Sequence, residues 1–159
     1  MPKTVACLWF DGQAEQAAAH YTAIFPNSEV VGVSRYGPGN HGLEGSAMVV
    51  NFSLDGQPYV ALNGGPQFTF SEAISFQIPC ADQDEVDYYW ERLSDGGQEG
   101  QCGWLKDRFG VSWQVIPNAL GGLLGDPDPE RAQRATQAML AMSKIDLAEM
   151  RRAADQPGQ

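Results

Sequence analysis

QCGWLKDRFGVSWQVIP, residues 101–117, predicts a tight hairpin between two apolar strands, and the other predicted elements are arranged around it. Trp104 and Trp113 flank the turn. After the turn, apolar residues at 111, 113 and 115 alternate with residues 112, 114 and 116, which is the period of a half-buried strand. Asp107 and Gly110 bracket the reversal, since Asp can cap its own turn and Gly tolerates positive φ. The apolar residues of the hairpin are expected to belong to the hydrophobic core, and its polar residues are candidates for function.

The residues before this hairpin predict another strand. Residues 73–78 alternate, with Ile74, Phe76 and Ile78 on one side and the polar Ser75 and Gln77 on the other.

A helix is predicted next. Asp82 and Glu85 have the spacing of a capping box, and Asp95-Gly96-Gly97 ends the element. Its apolar stripe recurs at helical spacing and consists of Val86, Tyr89, Trp90 and Leu93.

The first part of the chain carries the same kinds of element. Residues 4–10 predict a strand, and residues 13–25 predict an amphipathic helix that Pro26 ends. The apolar positions of this helix are Ala14, Ala17, Tyr21 and Ile24. Three further strands are predicted at residues 28–36, 46–54 and 57–63, and Asp55-Gly56 is the favoured hairpin turn between the last two.

The loop GPGNHGLEG, residues 37–45, separates two of these strands. Its glycines allow a phosphate-binding interpretation. However, Pro38 lies inside it and no helix follows whose N-terminus could hold an anion. The pattern therefore favours a surface loop.

Residues 126–159 predict a separate helical extension. Asp128 and Pro129 occupy the cap and first-turn positions of one helix, and Asp146 and Glu149 begin a second, shorter one. One face of the first helix carries Ala132, Ala135, Met139 and Met142. Methionine fills irregular gaps, so this stripe favours packing over ligand contact, either on its own subunit or on a partner.

Three stretches together resemble a known family. They are LWFDGQAEQAAAHYTAIFPNSEV at residues 8–30, SFQIPCADQDEVDYYWERL at 75–93 and WLKDRFGVSWQVIP at 104–117. In this order they are similar to the PhnB-like branch of the vicinal oxygen chelate superfamily, which includes glyoxalase I, extradiol dioxygenases and bleomycin-resistance proteins. Members of this branch are often labelled 3-demethylubiquinone-9 3-methyltransferase domain proteins. One fold hosts many chemistries, so the resemblance is informative mainly about the fold.

The resemblance and the order of elements together predict an α+β fold of paired βαβββ modules. Strand then helix occurs twice, about 69 residues apart, with Val5 matching Ile74 and Tyr21 matching Trp90. The expected domain comprises residues 1–125, with module one at about 4–65 and module two at about 72–117, and the curved sheets enclose a cleft. Residues 126–159 form the extension.

Composition limits the classes of partner. At 159 residues and 43% hydrophobic, the chain can bury one core or two small fused halves. Twenty acidic against ten basic residues give a formal charge of −10, which repels nucleic acid and anionic membrane surfaces. No apolar run is long enough to span a bilayer, and no signal peptide is indicated. Three cysteines without metal-type pairing fit a reducing compartment, so a cytoplasmic protein is expected.

The resemblance also implies where a metal would bind. In metal-dependent members, four strands each contribute a His- or Glu-type ligand, and the matching positions here are Thr4, a residue near Ala61, Ala73 and Gln114. Only Gln114 could act as a ligand, whereas divalent ions need several converging donors. His20 and His41 lie on a predicted helix and in the glycine loop, away from these strands. We therefore expect neither a catalytic metal nor another cofactor.

Other chemistries have weaker signals. Among Cys7, Cys80 and Cys102, Cys80 is the best nucleophile candidate because it precedes the helix that starts near Asp82. A buried, inert cysteine is nevertheless favoured for each of the three. No serine lies in a nucleophile-elbow context, and no glycine-rich strand-to-helix turn suits a methyltransferase cofactor.

A cavity with aromatic walls and a few polar groups is the remaining candidate site. The residues expected to line it are Trp9, Asn63, Ser75, Gln77, Trp104 and Gln114. Each has an alternative, since the tryptophans can be plain core and Ser75 and Gln77 can face solvent.

Two interpretations from different classes remain open. One is a non-catalytic small-molecule-binding protein, similar to the bleomycin-resistance members. The other is an enzyme that acts on a small oxygenated metabolite, with or without a recruited divalent metal. Because relatives form dimers, a homodimer is expected.

Overall fold

Two four-stranded sheets, each with its own helix, organise the chain. The computed structural model describes residues 2–39 and 43–156. The chain divides into two compact units, Met1–Phe70 and Ser71–Gln159. Each unit is described by itself below.

The first unit has the order strand, helix, strand, strand, strand. Its elements are β1 Ala6–Phe10, α1 Ala14–Ile24, β2 Glu29–Arg35, β3 Ala47–Leu54 and β4 Gln57–Asn63. The sheet order is β1-β4-β3-β2, with β1 parallel to β4 and the other pairs antiparallel. As predicted, Asp55 and Gly56 form the β3–β4 turn, both with positive φ.

The core of the first unit lies between α1 and its sheet. The predicted apolar positions of α1 are all buried, and Tyr21 stacks on Phe52 of β3. Strand β2 departs from regular alternation because a bulge occurs between Val30 and Gly32, which leaves Val31 66% exposed.

The second unit repeats the pattern and adds three helices. Its elements are β5 Phe76–Cys80, α2 Gln83–Ser94, β6 Gln98–Glu99, β7 Trp104–Lys106, β8 Ser112–Pro117, α3 Leu120–Leu124, α4 Pro129–Leu140 and α5 Leu147–Asp155. The sheet order is β5-β8-β7-β6, which matches that of the first unit, and β5 runs parallel to β8. The predicted α+β fold with two βαβββ motifs and a helical C-terminus is confirmed.

The caps predicted for the helices of the second unit are present. The Asp82 side chain accepts the Glu85 N–H at 2.9 Å, and the Asp146 side chain accepts the Glu149 N–H at 3.1 Å. Asp128 accepts from the N–H of Glu130 at 3.0 Å, with Pro129 in the first turn of α4. Polar groups in the connecting loops therefore set where these helices begin.

One predicted strand begins later than the alternation suggested. Ile74 was expected to face inward with Phe76 and Ile78, but it precedes β5 and is 74% exposed. The Ser71 hydroxyl accepts the N–H of Ala73 at 3.3 Å, a local turn that competes with strand pairing. Residues 71–74 therefore lie outside the sheet.

The described residues after β8, 118–156, belong to the second unit. This segment begins earlier than the predicted extension of residues 126–159, and it is called the extension from here on. Leu120, Ala135, Ile145, Leu147, Met150 and Ala154 form a buried cluster, with Met139 and Met142 packed against it. The Met stripe is thus packing on its own chain. None of the described helices combines the length and apolarity that crossing a bilayer requires.

Candidate functional site

The face of the second sheet that points away from α2 carries a row of polar side chains. In the register of the sheet, Gln77 of β5 is opposite Gln114 of β8, which is opposite Trp104 of β7. Residues paired in register share a face, so these three side chains are neighbours. The other face holds Ile78, Trp113 and further buried residues that pack against α2.

Gln114 is the centre of this row. Its Nε2 donates to the Ser75 hydroxyl at 2.8 Å, and its Oε1 accepts a longer bond of 3.4 Å from Gln77 Nε2. Ser75, Gln77, Trp104 and Gln114 are called the amide cluster below. Four of the six side chains expected to line a cavity are therefore neighbours, although the sequence placed them on three separate elements.

The turn beneath the amide cluster is built on a buried carboxylate. Asp107 Oδ1 accepts the N–H groups of Phe109 and Val111 at 2.9 and 3.0 Å, and Oδ2 accepts Trp113 Nε1–H at 2.8 Å. Gly110 has φ 90°, as the turn requires. The hairpin is fixed from its core side, which leaves Gln114 in a defined position on the opposite face.

One step along the same face lie Lys106 and Ser112, which are opposite each other in register. Lys106 forms an ion pair with Glu72, and the hydrogen bond from the lysine lowers the pKa of that carboxyl. Ser112 is 1% exposed, and its hydroxyl has no hydrogen-bond partner among the described residues. The positive charge here is already neutralised, so this end of the face does not attract an anion strongly.

Trp9 and Asn63 belong to the first unit, where their polar groups serve the local structure. Trp9 Nε1 donates to the Gly65 carbonyl at 2.9 Å. The Asn63 side chain accepts the Ala14 N–H and donates to the Ala47 carbonyl, both at 2.9 Å. Asn63 thus holds the start of α1 against β3, although it also lines a 540 Å³ cavity with Asp11 and Glu15.

The positions implied for a metal do not form a suitable donor set. Thr4 precedes β1 and Ala73 precedes β5, while Ala61 is a buried methyl group on β4. Gln114 is the single amide among them, and both of its polar atoms are already bonded. Within residues 2–39 and 43–156, no group of three or more His, Cys, Asp and Glu side chains could hold an ion. These residues do not fit a divalent metal centre.

Cys80 does not have the environment of a nucleophile. It is buried, its Sγ lies 3.4 Å from the Ile78 carbonyl, and burial raises the pKa of its thiol to about 12, with Glu85 and Asp82 adding to the shift. The helix N-terminus that favoured this cysteine in the sequence is offset by those two acidic residues, of which Asp82 is the cap of the same helix. This environment suits the buried, inert cysteine that the sequence favoured.

The first unit contains His20, which is not part of the second unit that carries the amide cluster. His20 is on α1, with its ring 5.9 Å from that of Tyr21. His41, part of the glycine loop, lies outside the described residues.

A smaller cavity of 340 Å³ adjoins the amide cluster and includes Gln77. Pro79 and Ile116, opposite each other in register, form its floor, and Leu120, Gly121 and Leu124 of α3 form a wall. Sequence reasoning missed this cavity because α3 was not predicted. The run LGGLL at 120–124 was the available signal, and its two glycines obscured its helical character.

Comparison with known proteins identifies relatives of this architecture. The family model described as 3-demethylubiquinone-9 3-methyltransferase matches residues 2–116. A PhnB protein from Bacillus cereus is 33% identical, with a TM-score of 0.69 over 73% of this chain and 99% of that one. No curated protein matches the chain.

More distant structures share the fold alone. Protein PA1353 from Pseudomonas aeruginosa is 18% identical, with a TM-score of 0.62 over 74% of this chain and 98% of its own. The fosfomycin resistance protein FosX from Listeria monocytogenes, solved with Mn(II) and sulfate, is 20% identical, with a TM-score of 0.51 over 72% of this chain and 92% of its own.

Proposed function

The chain belongs to the 3-demethylubiquinone-9 3-methyltransferase family, the PhnB-like branch of the vicinal oxygen chelate superfamily, and from that premise we propose that it is a small-molecule-binding protein. Its ligand contacts the amide cluster of the second unit. The observation that carries this proposal is Gln114, an amide held by two hydrogen bonds at the strand position where the resemblance implies a metal ligand.

The amide cluster favours a neutral ligand with a carbonyl or hydroxyl group. A primary amide offers both donor hydrogens and an acceptor oxygen, but no charge to balance a cation. The Gln114–Ser75 bond is short, so it holds the Gln114 amide in one orientation. The 3.4 Å bond from Gln77 is long, and the Gln77 side chain is exposed, so a ligand carbonyl can replace that bond at little cost.

Trp104 supplies the apolar part of the same contact. It is half-buried beside Gln114 on the shared face, and an indole ring offers a large, rigid surface to a small ligand. A polar group fixed by amides next to an aromatic wall is the usual composition of a small-molecule site.

The direct test uses propanamide as a small neutral probe. Its dissociation constant, measured by ligand-observed NMR, is expected to rise by roughly threefold to tenfold in Gln114→Ala, which corresponds to the loss of one net hydrogen bond of ~0.5–1.5 kcal/mol. Gln133→Ala, at an exposed position of α4, is the matched control and should bind as the wild type does. Equal affinity in wild type and Gln114→Ala would refute the assignment.

Gln114→Glu tests the metal interpretation separately. This substitution restores a carboxylate, but Thr4, Ala61 and Ala73 still supply no partner ligands. Titration calorimetry with MnCl₂ is expected to show no site of micromolar affinity in either the wild type or Gln114→Glu. A stoichiometric, tight Mn²⁺ site in the wild-type protein would overturn the proposal of a metal-independent binding protein.

A further inference from the structure

The 340 Å³ cavity beside the amide cluster, called the extension pocket below, continues the same face of the sheet. Gln77 and Gln114 form one register pair, and Pro79 and Ile116 form the pair two residues further along. Alternation along a strand places both pairs on one face. Gln77 lines the pocket, so the amide cluster and the pocket share a side chain.

The extension pocket differs in charge from the other cavities. None of the described residues that line it is charged. By contrast, the 540 Å³ cavity of the first unit includes Asp11 and Glu15, and an 830 Å³ depression along α2 includes four acidic and two basic side chains. In a protein with a net charge of −10, this neutral pocket suits an uncharged apolar group.

The wall of the pocket is held in place by the rest of the extension. Leu120 of α3 is buried in the cluster formed with Ile145, Leu147 and other residues of the extension. Ile116 packs against the same cluster from the sheet side. The pocket is therefore preformed, and binding does not require ordering its walls.

The residues that form this wall follow the region shared with the family. The family model ends at residue 116, whereas Leu120, Gly121 and Leu124 come after it. The α3 wall of the pocket therefore lies outside the region that the family model matches.

We propose that the extension pocket binds the aliphatic part of a neutral amphipathic ligand whose carbonyl group is held by Gln77 and Gln114. This inference rests on the proposed function and specifies the ligand class: an uncharged small molecule with a short alkyl chain on a carbonyl or amide group. The amide side chains of the sheet orient the polar end of the ligand, and α3 contacts its alkyl chain.

A series of straight-chain amides, from propanamide through butanamide to hexanamide, tests the proposal. Each buried methylene contributes ~0.8 kcal/mol, so affinity for the wild type is expected to rise about fourfold per carbon while the chain enters the pocket. Hexanoate, with a charged head, is expected to bind more weakly than hexanamide.

Two glycine substitutions in α3 give a matched pair. A Cβ at Gly121 or at Gly122 meets no atom within 4 Å, so both sites accept a side chain, and leucine favours a helix more than glycine does. Only Gly121 lines the pocket. Gly121→Leu is expected to remove the gain with chain length while leaving propanamide affinity unchanged, and Gly122→Leu should behave as the wild type. Thermal unfolding confirms that both variants fold.

The outcomes separate the two proposals. Suppose that propanamide binds through Gln114. If wild-type affinity then does not depend on alkyl-chain length, or if Gly121→Leu retains that dependence, the extension pocket does not bind the alkyl chain. If wild-type affinity depends on alkyl-chain length, Gly121→Leu abolishes that dependence and Gln114→Ala has no effect, the proposal for the extension pocket is supported and the proposal for the amide cluster is wrong. If no amide binds the wild type, both are wrong.

Discussion

At Asp107, three hydrogen bonds converge on one buried carboxylate. Replacement by Asn keeps the shape but substitutes an NH₂ group for one acceptor, so at least one buried N–H loses its partner. Asp107→Asn is expected to lower the free energy of unfolding by about 2–4 kcal/mol, because hydrogen bonds to a charged group are stronger than neutral ones. Urea unfolding followed by tryptophan fluorescence measures the change.

Asp95→Asn is the control for that measurement. Asp95 is likewise an aspartate at a turn, but its partner is Arg108 and its side chain is 77% exposed. An exposed pair of this kind contributes at most about 1 kcal/mol. A loss at Asp107 no larger than that at Asp95 would contradict the role assigned to the buried carboxylate.

Cys80 gives a second prediction at the scale of one residue. Because its pKa is raised to about 12 from the ordinary value of 9.0, the folded state holds the proton more tightly than the unfolded state. The resulting stability is complete below pH ~9 and is lost as pH rises towards 12. Between these values, the wild type is therefore expected to lose more stability than Cys80→Ala in parallel urea titrations.

Thiol labelling at pH 8 gives an independent readout of the same property. Cys7 is exposed and should react with a disulfide reagent at once, whereas Cys80 should react only after unfolding. Rapid modification of Cys80 in the folded protein would show that its thiol is more accessible and more acidic than this environment allows.

Among the elements, α5 depends on one side chain of α2. Gln83 Nε2 donates to the Ile145 carbonyl at 2.9 Å, and its Oε1 accepts the Leu147 N–H at 2.9 Å. Gln83→Glu removes the donor and places a carboxylate beside the Ile145 carbonyl and Asp87, which accepts from the same amide. We expect faster hydrogen exchange across residues 145–155, with about 1–3 kcal/mol less protection.

Gln137→Ala, at an exposed position of α4, is the control for Gln83. It should leave exchange in α5 unchanged. If Gln83→Glu also leaves exchange in α5 unchanged, the apolar cluster alone holds the helix.

The elements differ in how far the sequence predicted them. Both long helices with polar caps, α2 and α4, were predicted with their start residues because a cap is a local signal within four residues. The hairpin was also predicted, because its turn residues Asp107 and Gly110 lie within four positions of each other. The start of β5 was misplaced. Ile74 continues the apolar alternation of Phe76 and Ile78 in the sequence, and that pattern does not reveal the Ser71 turn that keeps Ile74 out of the sheet.

The candidate site was predictable only in part. Alternation indicated that Gln77 and Gln114 were polar exceptions on core strands, but the register that makes them neighbours is a pairing between distant parts of the chain. Helix α3 and its pocket depend on burial of Leu120 in the cluster that includes Ile145, which the run LGGLL with its two glycines does not reveal locally.

For the whole molecule, we propose a homodimer, as expected from the resemblance. Each chain has a net charge of −10, so two copies repel one another at low ionic strength and salt screens that repulsion. Sedimentation velocity at micromolar concentration is expected to show twice the mass of one chain, with association strengthened as NaCl rises from 20 to ~300 mM. A monomer at every salt concentration would contradict this proposal.

The attachment of the extension has a consequence for how its sequence can change over evolutionary time. Cys102 and Gly103 donate their N–H groups to the carbonyls of Met142 and Ser143 at 2.9 and 2.8 Å. Main-chain atoms belong to every residue type, so these two bonds place no requirement on the side chains at positions 142 and 143, although Met142 also packs against the buried cluster. Gly103 cannot drift, because it has φ 85° and a Cβ there would lie 2.9 Å from the Val115 carbonyl oxygen. The sequence constraint from these two bonds therefore falls on Gly103 in the hairpin and not on the side chains at positions 142 and 143.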